Sequence, residues 1–545
     1  MANGIDRRLL IKGAMLGAGA LALPGWGPAL AQMLSARGFT HDVASGEPGH
    51  DTVMLWTRYV PAAGATGRLS WEVARDPQFT RKLAEGEVVA TPERDWCVKP
   101  VATSLPPGEW FFYRFRDSTG RTSPIGRTRT LPDGPVSRFT LGVFSCANLP
   151  FGWFNAYGHA AARQDIDLMV HLGDYLYEYP RGDYPLAEQA VAGRVIEPAG
   201  EMVTLADYRL RHAAYRLDPD LQALHRNFPM VMMWDDHESA NDSWEGGAEN
   251  HQPETEGDWT TRKAAAQQAY REWLPISEAN WTRYRVGNLL DIFRPETRLT
   301  GRSKGLDLGA FRQGRTDLQP ALVEFRDSIW SDPARTMMGL EQEGWLADGL
   351  SGSTGDQVRW QVLAQQVIMG AIAMPRQVSE LIGSAGPQAQ AQAAVGLAAA
   401  QVGLPFNFDQ WDGFPAARER LLAASLDADA NLVVLSGDSH NAWAFDLDRD
   451  GAPAGVEFAV QSVTSPGYEN YLPVDPALVS GALVGANPQL LWADTSQRGY
   501  MSVAFTPEAV RGEWHFLRSI RDRGAQLGGT HSIASRHGSR RFDKS

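Results

Sequence analysis

The sequence predicts an α/β protein with a smaller all-β domain ahead of its main domain, and three observations predict it. Between Gly38 and Pro132, short β-branched and aromatic runs are broken by proline and glycine turns. From Phe139 onward, apolar strand-like runs alternate with helical periodicity. Four of those runs end in cysteine, aspartate, tyrosine or histidine, the residue types that hold metal ions.

Residues 1–31 read as an export signal and not as part of the fold. Arg7-Arg8 precede Leu9-Leu10-Ile11-Lys12, a Gly/Ala-rich apolar stretch runs from Gly13 to Leu23, and Ala29-Leu30-Ala31 fits a small-residue cleavage site. Paired arginines with modest hydrophobicity resemble a twin-arginine signal, which engages the twin-arginine export machinery and carries cargo already folded. A general secretory signal is the alternative. Either places the mature protein in the periplasm or outside the cell.

The chain has 545 residues, 43% of them hydrophobic and 21% charged, with 18 Trp and 21 Phe, enough for one large core and a smaller one. Its formal net charge is −13. Loss of residues 1–31 removes Asp6, Arg7, Arg8 and Lys12, a net +2, and leaves −15. That balance argues against a broad surface for nucleic acid or anionic lipid, so metal ions are the natural source of any positive charge in a site. The two cysteines, Cys97 and Cys146, are too few for a disulfide framework. No apolar run beyond the N-terminus is long enough to span a bilayer.

Residues 37–133 read as a β-sandwich of immunoglobulin or fibronectin type III kind, with runs at Val53–Thr57, Leu69–Val73 and Trp110–Phe115. Its expected role is structural, packed beside the second domain. Residues 137–520 read as the main domain, with strands at Phe139–Ser145, Leu168–Leu172, Met230–Trp234 and Leu432–Ser436, and a helix around Phe151–Gln164. The Ala/Gln/Gly-rich residues 378–402 read as an inserted helix or mobile loop, and 521–545 as a C-terminal tail.

The chemistry lies at the strand ends. The first strand runs into Cys146; the second into Gly173-Asp174, with Tyr177 following; the third into Asp235-Asp236-His237-Glu238; and the fourth into Gly437-Asp438-Ser439-His440. Ligands of α/β folds bind at the carboxyl ends of strands, so these groups should converge. Taken singly, Tyr177 is as well read as a packed aromatic, Asp174 as a helix N-cap, and Cys146 as a small buried hydrophobe.

The segments SCANLPFGWFNAY, HLGDYLYEY, WDDHE and SGDSHNAW resemble the PhoD-like alkaline phosphatase/phosphodiesterase family of metallophosphoesterases. FTHDVASGEP, VMLWTRYVP and DQWDGFPAARERLL support that resemblance, which covers nearly the whole mature chain and is weaker around 245–405. It implies an α+β sandwich metallophosphoesterase core and an exported enzyme acting on small phosphate monoesters and/or diesters by metal-activated hydroxide attack at phosphorus. It also implies a ferric ion, Fe(3+), held by Cys146, Asp174, Tyr177 and His440. Asp174 would bridge to calcium, Ca(2+), with Asp236 and Asp438 as its other ligands. His237 falls where the superfamily places a histidine facing the phosphate, so His237 and Asp174 are the catalytic candidates. His237 and Arg298 are the candidate substrate contacts, with a core or surface role an equally good reading of Arg298. Two departures accompany the match. Ser145-Cys146 replaces the superfamily's opening Asp-x-His, as in the PhoD-like branch, and Glu296-Thr297-Arg298 stands where many relatives read Asp-Thr-Arg.

The residue chemistry agrees with that ligand set. Thiolate and phenolate stabilise the higher oxidation state of iron and should colour the protein, whereas calcium takes oxygen donors in irregular geometry. Asp235 and Glu238 read as supports for their neighbours, and His159, His171, His212 and His225 as structural. Asn148, Asn241 and Asn441 are further oxygen-donor candidates. Two other readings compete: a thiol hydrolase with Cys146 as nucleophile, and an exported phosphate- or metal-binding protein with little turnover.

Overall fold

The computed structural model describes residues 33–543 apart from 63, 65, 384–386 and 473, so the export-signal segment lies outside the described residues. Two large sheets stack face to face, with helices on both outer surfaces. The first has ten strands. Its centre is Phe139–Phe144, Leu168–His171 and Pro229–Met232, mutually parallel, with Gly499–Phe505, Ala509–Leu517 and Leu527–Arg536 added antiparallel on one side. The second has seven strands, with Leu290–Arg294, Trp360–Ala364 and Leu432–Ser436 parallel in its middle.

Strand periodicity decides which side chain enters which layer. Leu141, Val143, Leu168, Val170 and Val231 meet Ile292, Val362, Val433 and Leu435 between the sheets. Their sequence neighbours Phe144, Met169, Met230 and Met232 point the other way, against helices that include Leu205–Tyr215 and Trp259–Trp273. Leu432 and Val434 do the same on the far side, under Leu340–Gly355 and Pro415–Asp427. Because both faces are covered, the strands read as unbroken apolar runs.

Three expectations are corrected in detail. The N-terminal β region does not simply pack beside the main domain. Gly38–Gly46 pairs in parallel with Pro229–Met232, so one face of the N-terminal sandwich is a continuation of the main sheet. The other face is the four-stranded sheet built on Gly67–Ala74 and Trp110–Asp117. Residues 521–545 are not a tail, since Leu527–Arg536 forms an edge strand paired with Ala509–Leu517. That strand has one fully buried residue and its sequence LGGTHSIASR lacks apolar alternation, which removes the signal. The helix expected at 151–164 is shorter, Asn155–Ala161, because a 3-10 turn at Leu149–Phe151 and the bond from the Trp153 N–H to the Ile520 carbonyl (2.7 Å) hold the approach open. Residues 378–402 fall largely within two helices, Arg376–Gly383 and Pro387–Gln401.

His171 ends a buried strand with Nε2 2.8 Å from the Tyr157 hydroxyl, and burial pushes its pKa down to about 3. The unfolded imidazole, with a pKa near 6.5, therefore takes up a proton that the folded one refuses. Its contribution to stability is full above that value and is lost as pH falls toward 3, at roughly 1.4 kcal/mol per pH unit. His171→Gln should flatten the acid side of a stability-versus-pH series by about that slope. Denaturant melts between pH 4 and 7 that keep the wild-type slope would contradict this.

Candidate metal centre

The parallel strands deliver their carboxyl ends to one edge, and the two sheets bring those edges together. A Cβ at Gly437 would lie 2.2 Å from Ser145 Oγ, so only glycine permits this approach of the fourth loop to the first. Gly173, at φ +103°, likewise lets the second loop pass against Asp235, whose Cβ would be 2.4 Å from an added side chain. Beyond these turns, Cys146, Asp174, Asp438 and His440 all have left-handed backbones, with φ of 59°, 54°, 59° and 65°. Each such residue costs about 1–3 kcal/mol, and such strain persists only where surroundings over-determine it. Here the Cys146 N–H donates to the Gly173 carbonyl (3.2 Å) and the Ala147 N–H to the Asp174 carbonyl (2.8 Å). Glu238 accepts the N–H groups of Asp174, Tyr175 and Asp235 at 3.1, 2.6 and 2.8 Å, tying the second loop to the third.

On one side of the centre, donor atoms of Cys146, Asp174 and His440 lie within 4.8 Å of one another, all buried. The Tyr177 hydroxyl completes the group, 2.9 Å from Asp174 Oδ2, 3.3 Å from His440 Nε2 and 2.7 Å from Ser465 Oγ. His440 Nδ1 is 2.8 Å from the Pro466 carbonyl, which can only accept. That bond puts the ring proton on Nδ1 and leaves the Nε2 lone pair facing the group.

On the other side, Asp174, Asp236 and His237 form a second set within the same 4.8 Å limit, and Asp235, Asp236 and Asp438 a third. Asp174 is shared by the first two sets, as a bridging ligand would be. His237 Nδ1 meets Glu178 Oε2 at 2.7 Å, and Glu178 Oε1 also accepts the Asn241 N–H (2.9 Å) and Asn250 Nδ2 (2.7 Å). Tyr177 and Tyr179 pack on the imidazole with ring centroids at 4.3 and 5.4 Å, and Phe151 and Tyr184 extend this aromatic wall.

The electrostatics fit a multivalent cation. Burial, reinforced by Asp174, pushes the Cys146 thiol and the Tyr177 phenol well above their usual ranges. Burial also lifts Asp174 to about 7, with Asp236 and Asp438 adding to the rise and His237 opposing it. Asp174 Oδ1 is buried without a hydrogen-bond partner. A buried carboxylate oxygen with no hydrogen-bond donor, in a cluster of acidic groups whose joint ionisation burial resists, suits a metal ion. The donor set, sulfur, phenol and imidazole on one side and carboxylates on the other, suits iron beside a hard oxygen-loving ion. For His237, burial alone would lower the pKa, but Asp236, Asp174 and Glu178 together lift it well above the histidine range.

Of the residues expected from sequence, Cys146, Asp174, Tyr177, Asp236, His237, Asp438 and His440 come together here. Arg298 lies beside this group. Expected as a substrate contact, it is 0% exposed and surrounded by carboxylates: Nε bonds Asp235, Nη1 is 2.7 Å from Asp409 Oδ2, and Nη2 is 3.5 and 3.7 Å from Asp438 and Asp236. Glu296, the departure from Asp-Thr-Arg, is also structural. It accepts Trp234 Nε1 and the N–H groups of Arg298, Leu299 and Thr300 at 2.6–2.8 Å. Glu178, Asp409 and Ser465 were not anticipated. Glu178 follows Tyr177 directly and Asp409 opens DQWDGFPAARERLL, so both lay in motifs already singled out, whereas nothing marks Ser465.

Comparisons with known proteins bear on this arrangement. The family model for PhoD-like phosphatase matches residues 141–514, and that for the PhoD-like phosphatase N-terminal domain matches residues 25–132. The chain is 32% identical to alkaline phosphatase D of Bacillus subtilis (strain 168), an alignment covering 96% of this chain and 86% of the relative. A solved structure of PhoD superposes with a TM-score of 0.75 at 29% identity, covering 93% of this chain and 92% of the other.

Proposed function

The chain belongs to the PhoD-like phosphatase family, and we propose that it is an exported phosphoesterase that uses Fe(3+) and Ca(2+) to hydrolyse small phosphate monoesters and/or diesters. The observation that carries this reading is the shared Asp174: it belongs to the set with Cys146 and His440, which Tyr177 joins, and also to the set with Asp236 and His237, whose Asp236 is shared in turn with Asp235 and Asp438. Cys146, Asp174, Tyr177 and His440 would hold iron, and Asp174, Asp236 and Asp438 calcium. When bound, the ions supply Lewis-acid activation of water and neutralise charge on the phosphoryl oxygens. Among the described residues no helix is long and apolar enough to cross a membrane, and export rests on the reading of residues 1–31.

The chain's own residues supply position and a proton. His440 keeps one tautomer through the Pro466 carbonyl, so its Nε2 is always available as a donor atom. Glu178 accepts a hydrogen bond from His237 Nδ1–H, and because the neighbouring carboxylates raise the His237 pKa, the imidazolium also carries an Nε2–H to orient the phosphoryl group or protonate the leaving oxygen. The wall of Phe151, Tyr177, Tyr179 and Tyr184 excludes water beside that proton. The thiol-hydrolase reading loses support, because a nucleophilic cysteine needs a lowered pKa and Cys146 is driven the other way by burial.

The test is product release from paired aryl phosphate mono- and diesters at alkaline pH by the purified mature protein, with and without a calcium-selective chelator. Turnover should fall by at least about 100-fold with the chelator and return with added calcium. The ratio of the two ester rates assigns the preference. Iron-replete protein that turns over neither ester would instead support the binding-protein reading.

A further inference from the structure

Arg298 is completely buried, and its guanidinium is oriented from behind. Asp409 holds Nη1 at 2.7 Å and also binds Arg302, itself 2% exposed, so the clamp is anchored in a second buried cation. Asp235 takes Nε. The backbone cannot retreat, since Glu296 accepts the Arg298 N–H at 2.8 Å and the next two N–H groups as well. What remains is Nη2, buried and without a hydrogen-bond partner, directed at Asp438 and Asp236 from 3.5 and 3.7 Å. Those distances are too long for hydrogen bonds and short enough for strong ionic coupling.

We propose that Arg298 is the fixed counter-cation of the acidic half of the centre, and that it sets how tightly that half takes up calcium. The inference rests on the calcium reading above. A divalent ion seated on Asp236 and Asp438 must share them with a guanidinium that has no room to leave, so calcium binds more weakly and more reversibly than the carboxylates alone would dictate. The same charge keeps the aspartates assembled when no ion is bound, because like charges this close repel. Asp409 acts on calcium through Arg298: by offsetting part of the guanidinium charge from the far side, it strengthens calcium binding without touching the ion.

This arrangement makes two substitutions act with opposite signs. Arg298→Gln leaves the acidic side more negative and should tighten calcium at least tenfold. Asp409→Asn leaves Arg298 less neutralised and should weaken calcium at least threefold. A purely structural arginine would give weaker binding in both variants, and a substrate-contacting arginine would alter phosphate binding instead. The experiment is calorimetric titration of calcium chloride into the chelator-treated, purified mature protein and both variants. It is accompanied by inhibition with inorganic phosphate and by thermal melts without calcium. Opposite shifts in calcium affinity, with the phosphate inhibition constant changing less than threefold in calcium-saturated enzyme, are the expected result. Shifts in the same direction, or a phosphate effect with calcium affinity unmoved, overturn it. Should Arg298→Gln fail to fold, Asp409→Asn decides alone, and unchanged or tighter binding refutes the proposal. A wild-type protein that takes up no calcium refutes the calcium reading itself, whereas wild-type binding that neither variant alters refutes only this inference.

Discussion

Cys146→Ser should yield a folded protein that has lost its visible absorption and most of its iron, with turnover down by at least about 100-fold. The fold should survive because the loop is held by main-chain bonds that the substitution leaves alone: the Cys146 N–H to Gly173, and the Cys146 carbonyl accepting from Ser465 Oγ at 3.1 Å. The two side chains also differ by one atom, so cavity and packing terms are small. The donor is what changes. A thiol can be deprotonated by a bound metal even where burial resists it, whereas a serine hydroxyl at the same place stays neutral and is a poor partner for ferric iron. Tyr177→Phe is the companion variant, since it keeps the thiolate and removes the phenolate expected to give the colour. Iron content by elemental analysis, the visible spectrum and aryl phosphate turnover together decide the matter. Retained iron with full activity in Cys146→Ser would sink the assignment.

The backbone of this centre was legible in sequence because its strands are buried on both faces. Leu168–His171 and Leu432–Ser436 carry apolar runs that stop abruptly at Gly-Asp, so the turn and the carboxylate announce themselves together. Side-chain direction was not legible. Arg298 sits in a recognisable tripeptide, yet whether it faces substrate or carboxylates depends on Asp235 and Asp409, which come from segments 63 and 111 residues away. The same is true of His440, whose tautomer is chosen by a carbonyl 26 residues downstream. The sharing of a sheet by Gly38–Gly46 and Pro229–Met232 was hidden for a related reason: parallel pairing leaves no turn signal between distant strands. Local pattern therefore gave the strand ends, and tertiary pairing gave their chemistry.

His237→Asn should lower kcat by about 10²–10⁴, the range for loss of a positioned proton donor, and Glu178→Gln by about 10–100-fold through the same proton. Glu178 is completely buried, and its charge is kept by bonds to His237, Asn241 and Asn250 despite the cost of burial. A glutamine retains the acceptor for the Asn241 N–H but no longer holds a formal negative charge against the imidazole. The His237 pKa, now raised by Asp236, Asp174 and Glu178 against the pull of burial, should fall. The sign of the pH effect follows. If the imidazolium is the active form, a lower pKa makes it lose its proton sooner, so the alkaline limb of the kcat profile should move to lower pH in Glu178→Gln. A Glu178 that only packed would lower activity without moving that limb. The double variant separates the cases further: with His237 already gone, Glu178→Gln should cost almost nothing more, because both act at one proton. Additive losses, each as large in the double variant as alone, would show that Glu178 supports the Asn241–Asn250 loop and not the histidine.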